Sequence, residues 1–213
     1  IVDSSGSMTD TDPNNLRIKA IQMMLDTMSP STSLGVVDFD SGTKVLFSPQ
    51  KMNKFSSNAR NSMHEKVKQI DSSGGTNIKK GLNKAAELIK NINTKASLVL
   101  LTDGKDDTWK GKTDIIPENV PVHTIALSDK ADRRSLSKLS ASTGGIADIA
   151  RTANDLPRIM SKLFGQASGE DVLLSREGKI KQDENIDYEL FVGDSSGRLL
   201  CGQLIIDQLP CCL

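Results

Sequence analysis

Apolar residues recur at Ile18, Ile21, Leu25 and Met28, steps of three, four and three that mark one face of a helix over residues 16–28. Pro30 closes it. The same spacing predicts a helix over 56–70 with Met63, Val67 and Ile70 inward, and one over 77–92 with Ile78, Leu82, Ala85, Ile89 and Ile92 in register. Helices over 133–142 and 154–164 follow, the second presenting Leu156, Ile159, Met160 and Leu163. Between them lie short strand-like runs at 33–39 (SLGVVDF), 43–47 (TKVLF), 97–102 (SLVLLT), 122–127 (VHTIAL) and 146–150. The continuous apolar run at 97–102 predicts a strand covered on both faces. Asp40-Ser41-Gly42 supplies a tight turn between the first two runs, and the polar stretch 9–15 carries no element. Ile1-Val2 reads as the last two residues of a strand whose beginning lies upstream, since a strand usually has about five or six residues.

Strands alternating with helices imply right-handed crossovers. The fold class is therefore α/β: a doubly wound, mostly parallel sheet with helices on both faces, over residues 1–167. From Gly169 the pattern changes. Residues 172–174, 188–192 and 199–206 are strand-like, joined by turn chemistry at Gly193-Asp194-Ser195-Ser196-Gly197. Residues 168–213 are read as a β-rich segment, too small to stand alone, that packs on the first domain or belongs to a β-sandwich. All three cysteines (Cys201, Cys211, Cys212) fall there. One pair involving Cys201 and three free thiols fit the sequence equally.

Charge and composition narrow the function classes. Lys and Arg number 27 against 27 Asp and Glu, so no basic field exists to attract nucleic acid or acidic lipid. Aromatic residues are 3% of the chain, too few for a base-stacking platform. No apolar run approaches the length of a membrane span. What remains is a domain with a discrete site.

Asp3-Ser4-Ser5-Gly6-Ser7 follows the end of the first strand. In open α/β folds ligands bind beyond the carboxyl ends of the strands. There, Asp3, Ser5 and Ser7 supply one carboxylate and two hydroxyls. Thr76, in the Gly74-Gly75-Thr76-Asn77 loop before a helix, and Asp103, at the end of the LVLLTD run, occupy comparable positions. Five oxygen donors from three loops suit a hard cation such as Mg²⁺, which favours octahedral oxygen and keeps several waters. Caps and turns alone also favour Ser and Asp at strand ends, and Asp-Ser-Ser-Gly recurs at 71–74 and 194–197 as ordinary turn chemistry. The ordered set of five is the informative feature.

On those residues the chain resembles a von Willebrand factor type A domain, the fold also called the integrin I domain, with a complete metal-ion-dependent adhesion site. Asp3, Ser5 and Ser7 match the family's first motif, Thr76 its second-loop threonine and Asp103 its third-loop aspartate. The resemblance covers residues 1–167. It implies a metal-binding cell-adhesion or protein-binding module with a divalent cation, Mg²⁺ foremost and Mn²⁺ or Ca²⁺ as alternatives. Ser5, Ser7 and Thr76 would ligate through neutral oxygens, with Asp3 and Asp103 acting partly through water. The implied partner is a protein offering an Asp or Glu carboxylate, in an extracellular or cell-surface setting. In the family, metal rearrangement couples to sliding of the last helix, here around residues 156–164. The order of this domain and a β-rich segment is also similar to the calcium-activated chloride channel regulator family. That likeness rests on Val122-His123-Thr124-Ile125-Ala126-Leu127, on Leu139-Ser140 with Thr143-Gly144-Gly145, and on Leu163-Phe164-Gly165.

Asp106, Asp107 and Trp109 follow Asp103 closely. They rim the site and read the partner, with Trp109 as an exposed anchor, or they form a solvated loop with one tucked Trp. Asp38 and Asp40 are read as part of a hairpin turn. His123 lies inside a strand and His64 on a helix, and no Ser–His or Cys–His arrangement emerges, so no catalytic residue is assigned. Two other functions stand beside the adhesion module. One is a cytoplasmic subunit of the same fold assisting an AAA-type ATPase, which the lack of an Asn-x-Ser/Thr sequon leaves open. The other is a metal-dependent hydrolase, disfavoured because a base and a nucleophile are missing.

Overall fold

The computed structural model describes residues 1–28, 32–51, 57–92, 95–104, 106, 109–112 and 114–168. The β-rich reading of 168–213 and the cysteine alternatives therefore lie almost wholly outside the described residues, as does Asp107.

Six strands form one sheet: β1 (Val2–Asp3), β2 (Ser33–Phe39), β3 (Thr43–Lys51), β4 (Leu98–Thr102), β5 (Val122–Leu127) and β6 (Ala147–Ala150). Their order across the sheet is β3-β2-β1-β4-β5-β6. Every neighbouring pair is parallel except β2 and β3, which are antiparallel across the turn at Asp40. There, Gly42 N–H donates to Asp40 Oδ1 at 2.6 Å, the side chain-to-backbone bond that makes Asp a turn former. The chain runs outward from β1 in one direction through β2 and in the other through β4, so the order reverses between β1 and β4. That switch point is where loops at the carboxyl ends part and leave a crevice.

The helices are α1 (Met8–Thr11), α2 (Leu16–Thr27), α3 (Ser57–Val67), α4 (Ile78–Ile89), α5 (Arg133–Thr143) and α6 (Leu156–Ser168). Their apolar stripes sort onto two cores. Ile18, Ile21 and Leu25 of α2, Met63 and Val67 of α3, and Ile159 and Leu163 of α6 share one cluster with Leu101 and Ile125 of the sheet. Ile78, Leu82 and Ala85 of α4 and Leu136 and Leu139 of α5 share the other. Alternate residues of β4 serve opposite cores: Leu98 and Leu100 face one, Leu101 and Val99 the other. This is the doubly covered strand that its continuous apolar run implied.

Helices α3 and α4 end before Ile70 and Ile92, shorter than the spacing predicts, and three further boundaries differ for evident physical reasons. The polar stretch 9–15 contains the short helix α1, and Asp12 then caps α2, accepting from Leu16 N–H at 2.7 Å and Arg17 N–H at 3.0 Å. Strand β3 continues past Phe47 through Pro49, which an edge strand tolerates because one side of its backbone needs no partner. Helix α6 is entered through a 3-10 turn over Ala153–Asp155, where Thr152 N–H donates to Asp155 Oδ2 at 3.1 Å.

His123, inside β5, is a buried core histidine. Its Nδ1 accepts from Ile146 N–H at 3.3 Å, so the imidazole is unprotonated at that nitrogen, and burial holds its pKa below the ordinary histidine value. A lowered folded-state value means that the unfolded chain takes up the proton first as pH falls. Stability is then complete above about pH 6.5 and declines below it, by at most about 1.4 kcal/mol per pH unit. Thermal melts of wild type and His123→Asn, whose amide oxygen can accept the same N–H, should show the mild-acid decline flattened in the variant. An identical slope in both would place the titration elsewhere.

Candidate metal centre

The loop after β1 turns back on itself through its own polar groups. Ser5 N–H donates to Asp3 Oδ1 at 2.8 Å, and the Ser5 and Ser7 hydroxyls share a hydrogen bond of 3.2 Å. Ser7 Oγ then donates to Asp103 Oδ1 at 2.7 Å, which carries the chain of contacts to the loop after β4. Asp103 Oδ2 accepts from Thr11 Oγ1, and Asp3 Oδ2 accepts from Thr102 Oγ1. Four of the five sequence-derived donors are therefore linked at the switch point.

Thr76 reaches the same place by another route. Its loop is stitched to the first loop through the backbone, with Gly6 N–H on Gly74 O at 3.1 Å and Ser73 N–H on Ser4 O at 2.8 Å. No hydrogen bond among the described residues joins the Thr76 side chain to the other four. Its position follows from Gly104: a Cβ there would lie 2.8 Å from Thr76 Oγ1, so the hydroxyl sits against the residue after Asp103. Gly74 allows this loop its shape by adopting φ +73°, a conformation that side chains disfavour.

Asp3 and Asp103 are both buried, and among the described residues neither has an ion-pair partner. Burial pushes the Asp3 carboxyl above the usual carboxylate range. Hydrogen bonds from Ser5 and Thr102 pull it back, and the neighbouring Asp103 adds to the rise. Buried charges are ordinarily paired or coordinate a metal. No group of three or more His, Cys, Asp and Glu side chains gathers anywhere among the described residues. The donor set is two carboxylates and three hydroxyls, hard oxygen throughout, and so fits Mg²⁺ or a similar cation rather than a soft metal.

Trp109 and Asp106 do not rim the site. Trp109 is 1% exposed, belongs to the core beneath α4 and α5, and donates from Nε1 to Lys112 O at 3.1 Å. An exposed anchor is excluded; the tucked alternative holds because a large indole with its N–H satisfied gains most from burial. Asp106 is buried too. Its Oδ2 accepts from Lys79 N–H at 3.4 Å in the first turn of α4, so it faces the helix rather than solvent. Sequence reasoning passed over Thr11, Thr102, Asp12 and Arg17. Thr102 had a signal, since it directly precedes Asp103 at a strand end. Asp12 had one as well, a cap residue four positions before the first apolar residue of α2.

Residues 1–105 match the von Willebrand factor type A domain. The fold aligns with a von Willebrand factor type A protein from Catenulispora acidiphila at TM-score 0.67 and 20% identity, over 81% of this chain and 42% of that one. The chain contains a von Willebrand factor type A domain. A further structure of the same fold is proximal thread matrix protein 1 from the mussel byssus with zinc occupying its MIDAS (metal-ion-dependent adhesion site) motif, at TM-score 0.60 and 18% identity, covering 81% of this chain and 48% of that one. By sequence, the chain is similar to calcium-activated chloride channel regulator 1 of Mus musculus, 33% identical over 150 residues. That match takes in 68% of this chain but 16% of the mouse protein, so the chain spans a small part of that relative's length.

Proposed function

We propose that the chain is a non-enzymatic protein-interaction module that binds an acidic side chain of a partner protein through a divalent cation, Mg²⁺ before Mn²⁺ or Ca²⁺, held by Asp3, Ser5, Ser7, Thr76 and Asp103. The observation that carries this reading is a buried pair of carboxylates, Asp3 and Asp103, with no cationic partner among the described residues and a ring of hydroxyls around them. A cation held by these residues would supply the positive charge that a carboxylate from outside could bind. Ser7 donates its proton to Asp103 and accepts from the Ser5 hydroxyl, which leaves one of its lone pairs free to face a cation. Thr102 and Thr11 do the same work from behind, fixing Asp3 and Asp103 by donating to them. The side chains of the site itself include no histidine and no cysteine beside Ser5 and Ser7. His123 is buried inside β5, and His64 on α3 contacts Asp26 at 2.9 Å. The mussel byssus protein, alike in fold, has zinc in its own MIDAS motif, which is in keeping with this reading. We place the module outside the cell or at its surface, a reading that draws on the likeness to the channel regulators.

Calorimetric titration of the metal-stripped protein with Mg²⁺, Mn²⁺ and Ca²⁺ tests the proposal. One-site saturable binding is expected, and Asp3→Ala and Thr76→Ala should each abolish it. A wild-type protein that takes up none of the three ions overturns the reading.

A further inference from the structure

Arg17 is fully buried on the apolar face of α2, with its side chain 0% exposed against an equally buried Asp12. Its Nη1 donates to Asp12 Oδ2 at 2.9 Å and to Asn15 Oδ1 at 3.2 Å. Its Nη2 donates to Asp71 O at 2.6 Å and to Ser72 Oγ at 2.9 Å. The guanidinium thus joins the segment just after Ser7 and Thr11 to the segment just before Gly74-Gly75-Thr76. Its Nε has no hydrogen-bond partner among the described residues. The fork is aimed by its two terminal nitrogens even though a buried N–H goes unsatisfied, an arrangement set by geometry between loops. Buried ion pairs are weak sources of stability compared with apolar packing. What a planar guanidinium supplies instead is direction, because its donors lie in one rigid plane.

From this juxtaposition we infer that Arg17 is a positioning residue for the candidate metal centre: it sets the spacing between the loop bearing Ser5 and Ser7 and the loop bearing Thr76, and thereby the affinity for a divalent cation. The inference rests on the metal-dependent reading above. Among the described residues the two loops otherwise share two backbone bonds, Ser4–Ser73 and Gly6–Gly74. Those bonds hold the loops side by side. Arg17 fixes them from beneath, where neither loop has another described side chain reaching both.

The test uses the full chain and Mn²⁺ as the probe, with affinity by calorimetry and stability by thermal melts of the metal-free protein. Arg17→Lys keeps a cation beside Asp12 but presents one ammonium where four acceptors wait. It should melt close to wild type while binding Mn²⁺ about tenfold or more weakly, the usual loss when the support behind a metal ligand is removed. Ser72→Ala, which deletes one acceptor at a partly exposed position, should weaken Mn²⁺ by about threefold. A merely structural role predicts that affinity recovers together with the melting temperature in Arg17→Lys. If Arg17→Lys does not fold, Ser72→Ala decides alone. Wild-type affinity in the folded variants, with binding lost in Thr76→Ala, overturns the role of Arg17 and leaves the metal centre standing. Absence of Mn²⁺ binding in wild type, or its persistence in Thr76→Ala, overturns both.

Discussion

Saturating Mg²⁺ is expected to raise the melting temperature of the metal-stripped protein by about 5–10 °C, and Asp3→Asn is expected to erase that gain. A ligand present at about a hundred times its Kd stabilises the native state by about 2.7 kcal/mol, and a domain of this size shifts by about 2–4 °C for each kcal/mol. The reason the effect should centre on Asp3 is its burial. With no cation beside it, the folded state must hold an ionised carboxylate out of water, and its pKa rises accordingly, against the pull of Ser5 and Thr102. A carboxyl raised on folding costs nothing below its unfolded value of about 3.9. The cost appears as pH climbs through the folded-state value and is complete above it. At neutral pH the metal-free wild type therefore carries this penalty and Asp3→Asn does not. The amide oxygen still accepts from Ser5 N–H. Metal-free Asp3→Asn should accordingly melt at or above metal-free wild type, while showing no response to Mg²⁺. Differential scanning calorimetry at pH 7, with chelator and with Mg²⁺, separates the cases. A variant that responds to Mg²⁺ as wild type does would remove Asp3 from the metal centre, and one that melts far lower in chelator would mean its carboxylate is a structural necessity.

The strand-and-helix alternation was legible because each buried stripe repeats with the period of its element. Ile18, Ile21 and Leu25 on α2 and Ile78, Leu82 and Ala85 on α4 face cores on opposite sides of the sheet, and both sets stand out from their spacing alone. The convergence of the three loops was legible for a related reason. In a parallel sheet the carboxyl ends of neighbouring strands lie together, so Ser5, Ser7 and Asp103 meet wherever β1 and β4 are neighbours. The supporting residues gave no such signal. Thr11 falls in a polar stretch without periodicity, and its reach to Asp103 depends on the one-turn helix α1, too short to show a pattern. Arg17 sits between Leu16 and Ile18, where a charged residue ordinarily snorkels to water; only the fold shows that its partners, Asp71 and Ser72, come from more than fifty positions away. Asp106 and Trp109 misled for the complementary reason. Nearness to Asp103 in sequence says nothing of which way a loop side chain turns.

Trp109→Ala is expected to destabilise the domain by about 3–5 kcal/mol, the range for truncating a buried aromatic, and so to lower its melting temperature by about 10 °C or more. The indole is among the largest fully buried side chains of the protein and lies in the core with Ile78, Leu82, Leu100, Leu136 and Leu139. Removing it leaves a cavity between the sheet and two helices that packed residues fill only in part. It also leaves Lys112 O without its donor. Trp109→Phe separates these contributions in part, since it keeps a six-membered ring in the core and loses the pyrrole portion with its N–H; it should cost about 1–2 kcal/mol. Mn²⁺ titration of Trp109→Phe should return the wild-type affinity, because no hydrogen bond among the described residues ties the indole to Asp3, Ser5, Ser7, Thr76 or Asp103. A surface anchor would behave in the opposite way, with melting unchanged in Trp109→Ala and partner capture reduced. The two substitutions therefore tell a packing residue from a recognition residue without the partner having to be known, and a Trp109→Ala protein that melts like wild type would return this tryptophan to the rim.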